Sequence, residues 1–173
     1  LGKKVIDQFW DLKLIKIPSD IFELDYDKIR SLEGWGDLSI KNLKKAIDNA
    51  KTISLNRFIY SIGIRHIGQE NAKILSNFFI SAKKFSSLFI KNKRKEILNN
   101  LRDLDGIGTT QIQSIEIFFS NKKNTEVVKS LISILEIKDF KILNKKGKFS
   151  RKNLMFTGGL EKISRSEAKS LTE

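Results

Sequence analysis

The residues best suited to chemistry in this sequence are glycines, which recur beside basic side chains in one repeated pattern. The pattern is an apolar residue, any residue, glycine, an apolar residue and a second glycine, followed each time by a predicted helix. It stands at residues 32–36 and 104–108, and in a longer version at residues 62–68. Leu1-Gly2 matches the end of a fourth copy, so the last glycines fall at positions 2, 36, 68 and 108. This spacing is typical of an internal structural repeat.

Each copy has the composition of a tight connection between two helices that can bind an anion. Its first glycine permits the left-handed backbone that ends one helix. The apolar residue that follows (Trp35, Ile64 or Ile107) is predicted to anchor the connection between the helices, and the second glycine to allow close approach to another backbone. A helix start presents free N–H groups and a partial positive charge, which attract phosphate. The sequence therefore predicts tandem helix-hairpin-helix motifs, which bind DNA backbones without reading base sequence.

We predict DNA contacts at the hairpin glycines and at three basic residues in or just after the hairpins. These candidates are Gly34, Gly36, Lys41, Gly63, Arg65, Gly68, Lys73, Gly106 and Gly108. The basic runs at residues 83–84 and 91–95 fit a DNA-facing surface and a solvated helix face equally well.

The chain lacks the side chains that most catalytic and metal sites require. It has no cysteine, which excludes thiol nucleophiles and cysteine-bound zinc or iron–sulfur sites within these residues. Its single histidine, His66, is too little for acid–base catalysis and is best explained as part of a hairpin. We therefore predict no catalytic residue, no cofactor site and no metal site.

The charge distribution favours an acidic partner. The formal net charge is +13, and residues 53–104 alone carry ten basic and three acidic side chains. Part of this excess matches a general bias toward lysine, isoleucine and asparagine, but its concentration in one segment does not. Nucleic acid is the first expected partner and an anionic membrane surface the second. A transmembrane segment is not expected, because no apolar run approaches the length of about 20 residues that spans a bilayer.

The elements that position these glycines are predicted to be helices almost throughout. Apolar residues recur at helical spacing, as in Val5, Ile6, Phe9 and Trp10. The pattern changes in the last residues, where 153–157 fit a buried strand, Gly158-Gly159 a turn, and Ser164 a helix N-cap. We therefore predict a mainly α chain, with a helix-hairpin-helix bundle at 1–143 and a linker plus incomplete α/β unit at 144–173.

These motifs together resemble the C-terminal part of a bacterial NAD-dependent DNA ligase. Residues 61–68, with Ala72 and Leu75, are similar to that family's third hairpin. Residues 1–6, 32–42 and 104–108 resemble its first, second and fourth hairpins. Residues 148–158 and 165–169 resemble the beginning of its BRCT domain, so the strand–turn–helix is expected to be a truncated BRCT start.

The resemblance implies a non-catalytic DNA grip within a larger enzyme. In that family the adenylation, OB and zinc-finger domains lie upstream, and the whole enzyme uses NAD, Mg and Zn to seal nicks during DNA replication and repair. The expected partners are nicked double-stranded DNA, held through its phosphates, and the upstream ligase domains, with no membrane partner. The expected location is the bacterial cytoplasm, at the nucleoid, and the chain alone is expected to be inactive.

Two other hypotheses remain open from the sequence. One is a stand-alone helix-hairpin-helix protein that binds DNA junctions or assists a nuclease. The other is a structural helical module that packs against protein partners and uses its glycines only as connectors, with no affinity for DNA at low salt.

Overall fold

Helices make up most of the structure, which is a computed structural model describing residues 1–141 together with Met155 and Ser164. The α-helices of these residues are α1 Lys3–Asp11, α2 Tyr26–Arg30, α3 Asp37–Ala50, α4 Leu55–Ser61, α5 Gln69–Phe79, α6 Ala82–Phe85, α7 Lys91–Asn100, α8 Thr109–Ser120 and α9 Lys122–Ile134. Short 3-10 helices occupy Pro18–Glu23, Ser86–Phe89 and Leu101–Asp103. The mainly α prediction is confirmed. None of the helices described is long and apolar enough to cross a membrane.

Two short strands, which the sequence analysis did not predict, pair in parallel. They are β1 Thr52–Ser54 and β2 Glu136–Lys138, with Ile53 opposite Ile137. The hydroxyl of Thr52 donates to a carboxylate oxygen of Glu136 at 2.8 Å. This pairing connects the residues before α4 to the residues after α9, and so closes the segment that contains the hairpins at residues 62–68 and 104–108.

Two hydrophobic clusters support the helices. The first lies within residues 1–50 and is centred on fully buried Phe9 and Ile29. Trp10, which the helical spacing placed on the same buried face as Phe9, is 58% exposed. The second cluster lies within residues 53–140 and includes the buried Leu55, Leu75, Leu88, Ile115 and Val128.

Phe85 joins the helices of the second cluster at its centre. Its ring makes edge-on contacts with Phe58, Phe79 and Phe119, at centroid distances of 6.3, 5.1 and 5.6 Å. Because these three rings come from α4, α5 and α8, their packing fixes the helices that follow and precede the hairpins.

Contacts divide the chain into a unit of residues 1–141 and a unit of residues 142–173. This division lies close to the predicted boundary after residue 143. The assignment of the two segments to separate domains stays a prediction. The predicted strand, turn and helix of the second unit lie outside the described residues, apart from the single positions Met155 and Ser164.

Candidate nucleic-acid interface

Each hairpin closes with the same four-residue turn. The carbonyl of the first turn residue accepts a hydrogen bond from the N–H three residues on: Leu32 from Trp35 at 3.2 Å, Ile64 from Ile67 at 3.1 Å, and Leu104 from Ile107 at 3.1 Å. We name residues 32–36 hairpin A, residues 64–68 hairpin B and residues 104–108 hairpin C. The connection between helices is therefore one repeated geometry.

The third residue of each turn has left-handed backbone, with φ of +82° at Gly34, +62° at His66 and +86° at Gly106. Hairpin B therefore aligns with the others on His66, and the predicted alignment on Gly63 is wrong. Gly63, with φ of +71°, lies just after α4 and ends that helix. The predicted anchor Ile64 is buried, but the residue equivalent to Trp35 and Ile107 is the buried Ile67.

The last glycine of each hairpin is the N-cap of the helix that follows. Gly36 precedes α3, Gly68 precedes α5 and Gly108 precedes α8, and their φ values of −82°, −82° and −94° are ordinary extended backbone. Their carbonyls accept the first helical hydrogen bonds, for example from Ala72 to Gly68 at 2.9 Å. Because glycine has no side chain, it offers no capping acceptor, and the first-turn N–H groups are left for an external one.

Open space surrounds two of these N-caps. A β-carbon built on Gly36 would meet no atom within 4 Å, and one built on Gly68 would meet only the Asn71 Oδ1 at 3.9 Å. The prediction that the second glycine allows close approach to another backbone is therefore wrong within the described residues. The space instead lies open at the surface, where a ligand can approach the backbone.

Asn71 connects hairpins B and C, a role that sequence reasoning missed. Its Oδ1 accepts a hydrogen bond from the Gly68 N–H at 3.3 Å, and its Nδ2 donates to the Gly106 carbonyl at 2.8 Å. Ile74, one turn further along α5, packs against Gly106 so closely that a β-carbon there would lie 2.6 Å from its Cδ1. The start of α5 is thereby tied to the turn of hairpin C.

Hairpin A is tied to α1 by its tryptophan. The Trp35 indole N–H donates to Gln8 Oε1 at 3.2 Å, and the Trp35 ring lies 5.3 Å from Phe9. Gly2 is the N-cap of α1, with φ of −85°, as the glycines of the complete hairpins are for their helices. The partial copy therefore has the helix start that the repeat predicts.

The predicted basic residues follow the same repeat. Lys41 and Lys73 are both the fifth residue of the helix after their hairpin, and the corresponding position in α8 is Gln113. All nine candidate residues, the six glycines included, are exposed at the surface.

The turns differ in charge. Arg65 is the second residue of hairpin B, whereas Glu33 and Asp105 hold this position in hairpins A and C. Asp37 adds a carboxylate at the start of α3, where it pairs with Arg30 at 3.2 Å. Because phosphate is repelled by carboxylates, hairpin B has the most favourable electrostatics for an anion, although Glu70 lies in the first turn of α5.

One residue of the basic runs is not available at the surface. Arg94 is only 6% exposed, and its guanidinium donates to the carbonyls of Leu88 at 2.9 Å and Phe119 at 3.1 Å. It also pairs with Glu116 at 3.3 Å. Arg94 is therefore a structural residue that joins α7 to the end of α8, while its neighbours Lys93 and Lys95 are exposed.

Comparison with known proteins places this geometry in context. Residues 57–128 match the helix-hairpin-helix motif model, which covers hairpins B and C. The chain is 51% identical over 172 residues to a DNA ligase of Pelagibacter ubique (strain HTCC1062), covering 99% of this chain and 25% of that protein. It is 39% identical to a DNA ligase of Rickettsia bellii (strain RML369-C) and 40% identical to one of Rickettsia prowazekii (strain Madrid E), covering 100% of this chain and 26% of each. The chain spans about a quarter of the length of these relatives. The helix-hairpin-helix prediction and the resemblance to DNA ligases are confirmed.

Proposed function

We propose that this chain holds duplex DNA by its phosphates without reading base sequence. The chain corresponds to about a quarter of the length of its DNA ligase relatives. The observation that carries the proposal is the start of α5, where Gly68 leaves open space beside uncapped N–H groups and Arg65 lies in the adjoining turn. Because hairpins A and C repeat this backbone geometry, several phosphates can be held by one chain.

The contact follows from the backbone rather than from any one side chain. Phosphate oxygens accept hydrogen bonds from the first-turn N–H groups, and the positive end of the helix dipole adds attraction. A side chain at Gly68 would lie where the phosphate approaches. Neither interaction depends on the bases, so affinity is expected to be similar for all duplex sequences.

The chemistry of the whole enzyme is a further part of the proposal. We propose that the complete protein uses NAD, Mg and Zn to seal nicks, and that this chain provides only the DNA grip. The chain alone should then form no covalent AMP adduct with NAD and should not seal a nicked duplex. Detection by mass spectrometry of a mass increase equal to one AMP would contradict this division of labour.

Fluorescence anisotropy tests the proposed phosphate contact. It measures the binding of the chain to fluorescent duplexes of unrelated sequence over a range of salt concentrations. Each phosphate that is neutralised should contribute about −0.9 to the slope of log affinity against log salt. The Gly68→Ala variant should keep its fold, because the added methyl meets only Asn71 at van der Waals distance. Its affinity should fall about tenfold or more, because hydrogen bonds to charged groups are worth about 1.5 kcal/mol or more.

Lys123→Gln is the matched control for loss of a surface charge. Lys123 lies in the first turn of α9, just beyond the end of α8 that is remote from hairpin C. Since α8 has 12 residues, this end is about 18 Å from the hairpin. A folded Gly68→Ala protein that binds duplex as well as the parent would overturn the backbone mechanism, and a parent without affinity at low salt would favour the protein-interaction alternative.

A further inference from the structure

A cleft of about 660 Å³ lies beside hairpin B. Its walls come from the C-terminal end of α3, from β1, from α4 and from the first residue of α5. The polar side chains that line it include those of Asn49, Thr52, Asn56, Arg57, Tyr60 and Gln69.

Most of these polar groups have no partner among the residues that the structure describes. The side chains of Asn49, Asn56, Arg57 and Gln69 form no hydrogen bond or ion pair with the residues that the structure describes, whereas Thr52 donates to Glu136. The Tyr60 side chain is 47% exposed. Arg57 is the one charged residue among the described residues that line the cleft, so its lining is positive.

The cleft adjoins the proposed phosphate position through one residue. Gln69 lines the cleft and is also the first residue of α5, directly after the N-cap Gly68. Ser61 also lines the cleft and ends α4, just before the turn of hairpin B. A DNA strand with one phosphate at the start of α5 would therefore bring an adjacent nucleotide to the mouth of the cleft.

We propose that the cleft binds the nucleotide adjacent to the phosphate held by hairpin B, an inference that rests on the proposed function. The Arg57 guanidinium, a planar donor suited to phosphate oxygens, binds the phosphate of that nucleotide. The amphipathic ring of Tyr60 packs against its deoxyribose. The amide groups of Asn49 and Asn56 donate to the remaining oxygens at the cleft wall.

Substitution of Arg57 and of Tyr60 distinguishes the contribution of charge to DNA binding from that of apolar contact. Arg57→Gln should make the slope of log affinity against log salt shallower by about 0.9, because one phosphate is no longer neutralised. Arg57→Lys should restore the slope, since it retains the charge. Tyr60→Ala should weaken binding about threefold or more without changing the slope, because it removes apolar contact and no charge. Lys123→Gln should change the salt slope less than Arg57→Gln does, and the affinity less than Tyr60→Ala does.

Fluorine NMR of protein labelled with 3-fluorotyrosine locates the nucleotide directly. The sequence has only two tyrosines, Tyr26 and Tyr60, so Tyr60→Phe assigns both resonances. Saturating duplex should move the Tyr60 resonance in the parent protein. Saturation by anisotropy with an unmoved Tyr60 resonance, or an unchanged salt slope in a folded Arg57→Gln variant, would overturn the cleft proposal while leaving the hairpin contact intact. A parent chain that does not bind duplex would overturn both proposals.

Discussion

Arg65 is the residue on which the charge of the candidate interface depends most. It holds the turn position that Glu33 and Asp105 occupy in the other two hairpins, and its side chain is exposed beside the start of α5. Loss of this side chain therefore removes the one positive charge in the three turns. The free helix N–H groups would remain, so binding should weaken without being abolished.

We predict that Arg65→Ala makes the slope of log affinity against log salt shallower by about 0.9 and weakens binding to all duplex sequences equally. The measurement is anisotropy at several salt concentrations with two unrelated duplexes, and Lys123→Ala is the control. A change in affinity confined to one of the duplexes would show that Arg65 reads bases instead.

A turn glycine and an N-cap glycine have different structural roles, as their backbone angles and surroundings show for Gly106 of hairpin C and Gly36 of hairpin A. Gly106 has φ of +86°, and a β-carbon there would lie 2.6 Å from Ile74 Cδ1. Gly36 has an ordinary negative φ and no atom within 4 Å of the position of a β-carbon. Gly106 therefore serves the fold, while Gly36, like Gly68, leaves space for a ligand; at Gly108 a β-carbon would meet Gln111 Oε1 at 3.2 Å.

We predict that Gly106→Ala lowers the free energy of unfolding by about 1–2 kcal/mol, the cost of left-handed backbone for a residue with a β-carbon. Gly36→Ala should leave this free energy unchanged within about 0.5 kcal/mol, or raise it by restricting the unfolded chain. Urea denaturation followed by circular dichroism measures both. Equal destabilisation by the two substitutions would contradict the assignment of roles.

The left-handed turn positions could be predicted from the sequence where a glycine occupies them. Gly34 and Gly106 mark left-handed turns because glycine adopts that backbone at no steric cost. In hairpin B, His66 adopts this backbone, with φ of +62°. Gly63, three residues earlier, also has a positive φ, but it ends α4 and is not part of the turn. The sequence contains no signal that distinguishes the end of α4 from the turn, so the alignment was predicted three residues out of register.

At the scale of elements, the start of α5 and the turn of hairpin C act together through one side chain. Asn71 accepts from Gly68 and donates to Gly106, so its amide satisfies a donor in one hairpin and an acceptor in the next. Gln111 is its counterpart in α8 and accepts only from Gly108, at 3.1 Å, within the contacts described. The two hairpins are thus connected at one side by a specific hydrogen bond.

We predict that Asn71→Ala lowers the free energy of unfolding by about 1–2 kcal/mol, because it removes two hydrogen bonds worth about 0.5–1.5 kcal/mol each. Gln111→Ala removes one such bond and should cost about half as much. Chemical denaturation provides the comparison. An Asn71→Ala cost no larger than that of Gln111→Ala would show that the bond to Gly106 does not hold the hairpins together.

The helices could be predicted from the sequence, whereas the two strands could not. Apolar residues at helical spacing, such as Ile112, Ile115 and Phe119, are buried on one face of α8. The strands have three residues each and pair Thr52 with Glu136, which lie 84 positions apart in the chain. So short a segment has no periodicity to detect, and its conformation depends on a distant partner. The cleft was missed for a related reason, since α3, β1 and α4 form it jointly.

For the whole molecule, the described unit contains its own hydrophobic clusters. The first cluster uses residues of the first 50, and the second extends from Ile53 to Phe140. The phenyl ring of Phe140 belongs to this second cluster, and its backbone N–H donates to the Ile80 carbonyl at 2.7 Å. The stability of residues 1–141 should therefore come from within that unit.

We predict that removal of residues 142–173 leaves the thermal midpoint of the helical unit unchanged within about 5 °C, which corresponds to about 1 kcal/mol for a domain of this size. The physical reason is that the anchoring contacts of the C-terminal end of the unit, from Glu136 in β2 to Phe140, are all retained. Circular dichroism melting of the full chain and of residues 1–141 provides the measurement. A second truncation after Leu135 is the control, and it should lower the midpoint by more than about 5 °C because it removes β2 and Phe140. A large loss on the first truncation would show that residues 142–173 pack against the helical unit, and the boundary would then lie elsewhere.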